Sequence, residues 1–114
     1  MAEFFLTRRA TIDLLEIEEF SLRKWGESQT EKYINDLYHI FGEIAKNPEL
    51  GELRKDRSLP FFMMPAKQHF VIYKITNSGI IIATILHGRR NIESLVRSMT
   101  ASLVDEILTI ENRI

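Results

Sequence analysis

Two stretches in the first half of the chain repeat apolar residues at helical spacing. The first predicts a helix from Thr7, whose hydroxyl is suited to capping a helix N-terminus, to about Lys24. Trp25-Gly26 ends this helix, because glycine readily adopts the left-handed C-terminal conformation. Its apolar row is Ala10, Leu14, Ile17 and Trp25. The second predicts a helix over about 27–46, with the apolar row Ile34, Leu37, Phe41 and Ile44. The short turn between the two helices predicts an antiparallel hairpin.

The pattern then changes from helical to strand-like spacing. Residues 69–75 and 80–87 are rich in β-branched and aromatic side chains, and the sequence between them, Thr-Asn-Ser-Gly, is typical of a hairpin turn. Both strands are apolar on both faces, which indicates that something packs on each face of the sheet. Further strands are expected at 2–7 and at 61–64, the latter closed by Pro65, whereas 47–59 is interpreted as a polar connector.

Residues 91–111 return to helical spacing. Their apolar row is Ile92, Val96, Met99, Leu103 and Ile110. The order β-α-α-β-β-β-α predicts an α+β fold in which a helical hairpin packs on an antiparallel sheet, with an added C-terminal helix. We expect that helix to pack on the sheet or on the helical hairpin, where it would reduce access to a partner-binding surface; the alternatives are a helix that only completes the core or a homodimer seam through 92–110.

The composition excludes several classes of protein. The chain has 114 residues and no cysteine, so it has no disulfide framework, thiolate zinc site or iron–sulfur cluster. Three scattered histidines make a His-only metal site a poor interpretation, and no cofactor is indicated. No apolar run approaches the ~18 residues that span a bilayer, and the N-terminus does not resemble a secretory signal. We therefore expect a cytoplasmic protein that does not bind membranes.

Charge is concentrated in the middle of a chain whose net charge is −1. Residues 46–90 contain 8 basic and 3 acidic side chains, which predicts either a basic face for nucleic acid or an acidic protein, or simply a solvated face. The candidate contact cations are Arg54, Lys55, Arg57, Lys67, Arg89 and Arg90. Tyr73 and His87 are added as groups that could exchange protons, as could His69. The alternative interpretation makes Tyr73 a packing residue and each of these histidines a partly buried group that holds a turn.

The same residues resemble a known family. The N-terminal pattern is Phe5-Leu6-Thr7-x-x-Ala10-x-x-Asp13-Leu14-x-x-Ile17, followed by Trp25-Gly26, Tyr33 and Leu37. The later pattern is Pro48-x-x-Gly51, His69-Phe70-Val71-Ile72-Tyr73 and Ile85-Leu86-His87-Gly88-Arg89. Over about residues 4–90 the chain is similar to ParE toxins of the RelE/ParE superfamily. One departure is Thr84, where ParE relatives commonly carry arginine.

The resemblance implies a toxin domain over 1–90, with the helix of 91–114 packed on it. It implies a protein that traps DNA gyrase and is neutralised by a cognate antitoxin. One alternative is a RelE-like ribosome-dependent messenger RNA endoribonuclease that uses the basic residues to neutralise phosphate. RelE-type cleavage usually relies on a tyrosine near the C-terminus, and the last tyrosine here is Tyr73. A third possibility is a decayed toxin that retains only antitoxin binding.

Overall fold

The computed structural model describes residues 3–56, 59–88 and 101–114. Within these residues the chain forms three α-helices and five strands around a single sheet. The helices are α1 (Arg8–Trp25), α2 (Glu27–Lys46) and α3 (Ala101–Arg113), and a short 3-10 turn spans Pro48–Leu50. The strands are β1 (Glu3–Leu6), β2 (Glu52–Asp56), β3 (Leu59–Ala66), β4 (His69–Ile75) and β5 (Gly79–His87). The predicted α+β class, the helical hairpin and a C-terminal helix are confirmed; residues 91–100 of the predicted last helix lie outside the described ranges.

The limits of α1 follow from the two residues predicted to set them. The Thr7 hydroxyl accepts a hydrogen bond from the Ala10 backbone N–H at 3.0 Å, which is the expected N-cap. The same hydroxyl donates to the Ala83 carbonyl at 2.7 Å, so this fully buried side chain also fastens the start of α1 to β5. At the other end Gly26 has φ +85° and donates its N–H to the Leu22 carbonyl, which ends the helix.

The sheet has the strand order β1-β5-β4-β3-β2. The pairs β3–β4 and β4–β5 are antiparallel, as expected, and β2 also pairs with β3 in the antiparallel direction. The first strand differs, because β1 pairs in parallel with β5, with Glu3 opposite Gly79. The intervening α1 and α2 carry the chain across one face of the sheet, which allows a parallel partner at the edge.

The expectation that 47–59 is only a connector was wrong. Residues Glu52–Asp56 form β2, an edge strand paired with β3. Four of its five residues are charged, and it lacks the β-branched and aromatic residues that marked the other strands. The run closed by Pro65 is also longer than expected, since β3 extends over Leu59–Ala66. Pro65 lies beyond Met63, the last residue paired with β2, so its missing N–H breaks no bond on that side.

The two faces of the sheet carry separate cores, as the two-sided strands predicted. On one face α1 and α2 bury a cluster with β4 and β5 that includes Leu14, Leu37, Phe41, Ile44, Val71, Tyr73, Ile80 and Ile82. On the other face α3 places Leu103 and Ile107 over Phe61, Met63, Ile72, Ile81 and Ala83. In the predicted rows of α1 and α2 one residue departs from expectation, because Trp25 is 47% exposed rather than buried.

Candidate partner-binding cleft

A cleft of about 450 Å³ opens between the helical hairpin and the end of the sheet where β4 begins and β5 ends. Helix α1 contributes one long wall and the first part of α2 continues it. The third side is formed by β4, β5 and the turn before β4. Among its lining residues are Asp13, Phe20, Trp25, Gln29, Tyr33, His69 and His87. The cleft is therefore built from parts of the chain that are distant in sequence.

Aromatic side chains form an exposed rim on the α1 side of this cleft. Phe20 and Trp25 are 51% and 47% exposed, and their rings meet edge to face with 6.1 Å between centroids. The Lys24 ammonium lies 5.0 Å from the Trp25 centroid and 5.6 Å from that of Phe20, a cation–π arrangement that holds the rings together. Large aromatic side chains beside a pocket are typical of protein-binding surfaces.

A histidine pair and a tyrosine form the polar floor of the cleft. His69 and His87 face each other across β4 and β5, with 5.4 Å between ring centroids. The Tyr33 hydroxyl lies 2.7 Å from His69 Nδ1 and accepts the Gln68 backbone N–H at 3.1 Å. The direction of the bond between the Tyr33 hydroxyl and His69 Nδ1 depends on the histidine tautomer.

Burial and the neighbouring His87 lower the pKa of His69 to about 4. Burial also raises the pKa of the Tyr33 phenol. Both groups are therefore neutral near pH 7. His69 does hold the turn before β4, as one interpretation of the sequence had it, but it does so through the Tyr33 side chain rather than through the backbone.

Asp13 fixes the wall of the cleft to the sheet. One carboxylate oxygen accepts from the Thr84 hydroxyl at 2.5 Å and from the Ile85 N–H at 3.0 Å. The other oxygen accepts from the Arg9 guanidinium at 3.0 and 3.1 Å. Thr84, the position that departs from the family pattern, thus holds α1 against β5, while Arg9 supplies a cation to the same carboxylate.

Three of the predicted contact residues have side chains that the structure describes, and the three lie in different parts of the fold. His87 lies in the cleft. Lys67 occupies the β3–β4 turn with φ +59° and pairs with Asp36 at 3.0 Å, so it connects that turn to α2. Tyr73 is fully buried in the core under the hairpin.

The Tyr73 hydroxyl holds the turn that follows α2. It donates to the Pro48 carbonyl at 2.5 Å and accepts the Gly51 N–H at 3.0 Å. A Cβ at residue 51 would lie only 2.5 Å from this hydroxyl, which explains the glycine. Burial raises the pKa of Tyr73, which keeps the phenol protonated.

For the remaining predicted cations the structure describes at most the backbone. Arg54 and Lys55 belong to β2, at the opposite edge of the sheet from β1. Arg57, Arg89 and Arg90 lie outside the described ranges. The sequence analysis did not predict the aromatic rim formed by Phe20 and Trp25. The available signal in the sequence was Phe20, an aromatic residue outside the buried row of α1.

Two further findings concern metal-binding groups and membrane-spanning helices among the described residues. No three acidic or histidine side chains converge there in a way that could hold a metal ion. In the same part of the chain no helix combines the length and the apolar character needed to cross a membrane. Together, the fold and the cleft define a small α+β protein with a preformed, aromatic-rimmed surface of the kind that binds another protein.

Comparisons with known proteins identify the family. The family model for the ParE toxin of the type II toxin–antitoxin system parDE matches residues 4–92. Toxin ParE1 of Mycobacterium tuberculosis is 27% identical over 93 residues, which are 81% of this chain and 95% of the relative. Toxin ParE1 of Caulobacter vibrioides is 28% identical over 91 residues, or 80% and 94% of the two chains.

A solved structure agrees at the level of the fold. A chain in the structure titled "Chromosomal ParDE TA system from P. aeruginosa" matches with a TM-score of 0.65 at 17% identity, covering 76% of this chain and 96% of that chain. Because the family model matches well over half of the sequence, this chain belongs to the ParE toxin family of type II toxin–antitoxin systems.

Proposed function

We propose that the protein inhibits DNA gyrase and is neutralised by a cognate antitoxin in the cytoplasm. In this proposal residues 1–90 are the toxin domain, and 91–114 add a helix packed on it. The observation that carries the proposal is the family match over 4–92, which includes every strand and both helices that build the cleft. No observation on the described residues favours the ribonuclease alternative, because Tyr73 and Lys67 both have partners within the fold.

The cleft supports binding rather than proton transfer. At its floor His69 is neutral near pH 7, since the pKa of this histidine is lowered to about 4. Its rim presents Phe20 and Trp25, which supply apolar area at low entropic cost on binding. We propose that this rim contacts a partner protein, with His87 below it. The basic residues Arg54, Lys55, Arg57, Lys67, Arg89 and Arg90 are proposed to complement acidic surfaces of the antitoxin or of gyrase.

A gyrase assay tests the function directly. Purified protein added to gyrase and relaxed plasmid should inhibit supercoiling and accumulate cleaved DNA, and added antitoxin should reverse both effects. Ribosome-dependent messenger cleavage without any effect on gyrase would contradict the proposal and support the ribonuclease alternative. Antitoxin binding with neither activity would instead indicate a decayed toxin.

A pair of substitutions on α1 tests the cleft. Trp25→Ala should weaken binding of antitoxin or gyrase about tenfold or more, as expected for an aromatic anchor at an interface. Leu15→Ala is the matched control, because Leu15 is 60% exposed on the same helix but does not line the cleft. Titration calorimetry with each partner gives the two affinities, and equal affinities for the two variants would exclude the rim as a contact.

A further inference from the structure

The cleft between the helical hairpin and the sheet has the size and composition of a small-molecule site. Its volume of about 450 Å³ lies within the range typical of such sites. Its walls are largely apolar, with Ile17, Phe20, Ile85 and Leu86 among them, and a few polar side chains converge on it. In sites of this kind the apolar walls supply contact area and the polar groups select the compound. The polar groups therefore indicate which class of compound fits.

Ser21 is a buried polar residue on the α1 wall of the cleft. It lines the cleft one helical turn after Ile17 and is 3% exposed. Among the described residues its hydroxyl has no hydrogen-bond partner, whereas the helical residues Thr11 and Thr30 donate to the carbonyl four residues earlier. A buried hydroxyl without a partner costs free energy. A ligand with a hydrogen-bonding edge would supply the missing partner.

His69 provides a second hydrogen-bonding atom in the cleft. Its Nδ1 lies 2.7 Å from the Tyr33 hydroxyl, and its Nε2 has no hydrogen-bond partner within the described ranges. Burial and the neighbouring His87 lower the pKa of His69 to about 4, so the ring is neutral near pH 7. A neutral imidazole has one nitrogen that donates and one that accepts, and a serine hydroxyl can do both. These groups complement a neutral edge that carries donors and acceptors.

The charges around the cleft disfavour both anions and cations as occupants. The Asp13 and Glu16 carboxylates line it and share the Arg9 guanidinium, at 3.0 and 3.4 Å. The lining residues that the structure describes include no lysine or arginine that would neutralise a phosphate. At the rim the Lys24 ammonium already lies over both aromatic rings and would repel a second cation. The best-matched occupant is therefore uncharged.

We propose that the cleft binds an uncharged nitrogen heteroaromatic compound of the nucleobase class. Such a ring is flat, so it can stack on Phe20 or Trp25, which line the cleft and are each about half exposed. Its nitrogen atoms and exocyclic groups supply the donors and acceptors that the Ser21 hydroxyl lacks. The proposal does not rest on the proposed function, because it concerns a free small molecule rather than a partner protein.

A fluorescence titration of the full chain with adenosine tests the proposal. Trp25 is the only tryptophan in the sequence and lines the cleft, so its emission reports occupancy. Adenosine should change this emission saturably, with a dissociation constant of about 0.1 mM for a compound of its size. Adenosine monophosphate should bind at least about fivefold more weakly, because its phosphate meets the Asp13 and Glu16 carboxylates. No saturable change with adenosine, or equal or tighter binding of the monophosphate, would overturn the proposal.

Ser21→Ala separates ligand binding from a structural role. It should weaken adenosine binding about fivefold through the loss of one hydrogen bond, without lowering the thermal midpoint, because the hydroxyl has no partner within the described part of the fold. Ser28→Ala is the matched control, since Ser28 is exposed on α2 and is not among the residues lining the cleft, and it should change neither quantity. Unchanged adenosine affinity in Ser21→Ala would refute the proposal, while the gyrase assay would decide the proposed function separately.

Discussion

Asp13 is predicted to be the most sensitive polar residue of the cleft. Its carboxylate receives hydrogen bonds from Thr84, from the Ile85 N–H and from the Arg9 guanidinium, and the side chain is only 12% exposed. Asp13→Asn keeps the shape but replaces one oxygen by an NH₂ group, so one set of donors meets another donor whichever way the amide turns. A hydrogen bond to a charged group contributes about 1.5–3 kcal/mol, and the exposed Arg9 pair adds at most about 1 kcal/mol.

We therefore expect Asp13→Asn to lower the free energy of unfolding by about 2–3 kcal/mol, measured by urea denaturation followed by circular dichroism. Glu16→Gln is a matched control, because Glu16 lies on the same helix, approaches the same Arg9 at 3.4 Å and is 68% exposed. It should cost less than about 0.5 kcal/mol. If Asp13→Asn matched this control, the carboxylate would not be what holds α1 against β5, and the account of the cleft wall would be refuted.

Three further predictions concern single side chains. Tyr73→Phe removes the two hydrogen bonds that hold the turn after α2 and should cost about 1–3 kcal/mol in urea denaturation, whereas Tyr38→Phe, at a 42% exposed tyrosine, should cost less than about 0.5 kcal/mol. Thr7→Val removes the cap of α1 and its bond to β5, so thermal unfolding should show a loss of about 1–3 kcal/mol; an unchanged midpoint would contradict the role of the cap. Because the pKa of His69 is lowered from 6.5 to about 4, the unfolded state takes up its proton first, and stability should fall as pH decreases through that window. His69→Gln should make the loss between pH 6.5 and 4 smaller than in the unchanged protein, and identical pH profiles would exclude this contribution.

The spacing of apolar residues predicted the helices that bury one face and the central strands that are buried on both faces. Helix α1 matched because a threonine cap and a glycine stop mark its two ends, and α2 matched because its apolar row is regular between Gly26 and Asn47. Strand β2 was not predicted from the sequence, because this edge strand pairs only with β3 and four of its five residues are charged. The parallel pairing of β1 with β5 was not predicted either, since the alternation of side chains along a strand does not indicate the direction of the neighbouring strand.

The cleft was harder to predict than the fold because its parts meet only in three dimensions. Asp13 and Thr84 are 71 positions apart, and Tyr33 and His69 are 36 apart. The basic residues of 46–90 attracted attention through charge, yet Lys67 proved to be paired with Asp36. Phe20 lies outside the apolar row of its helix, but so does Ile12, which is exposed without lining the cleft, so this signal alone did not identify the rim.

The parallel pairing of β1 with β5 also sets when the molecule can assemble during translation. Residues 3–6 leave the ribosome well before their neighbours in the sheet, 79–82. The helical hairpin can form early from local contacts, whereas the two walls of the cleft meet only after β5 has emerged. A nascent chain therefore has no complete cleft, and whatever the finished protein binds there cannot be captured by a prematurely terminated product.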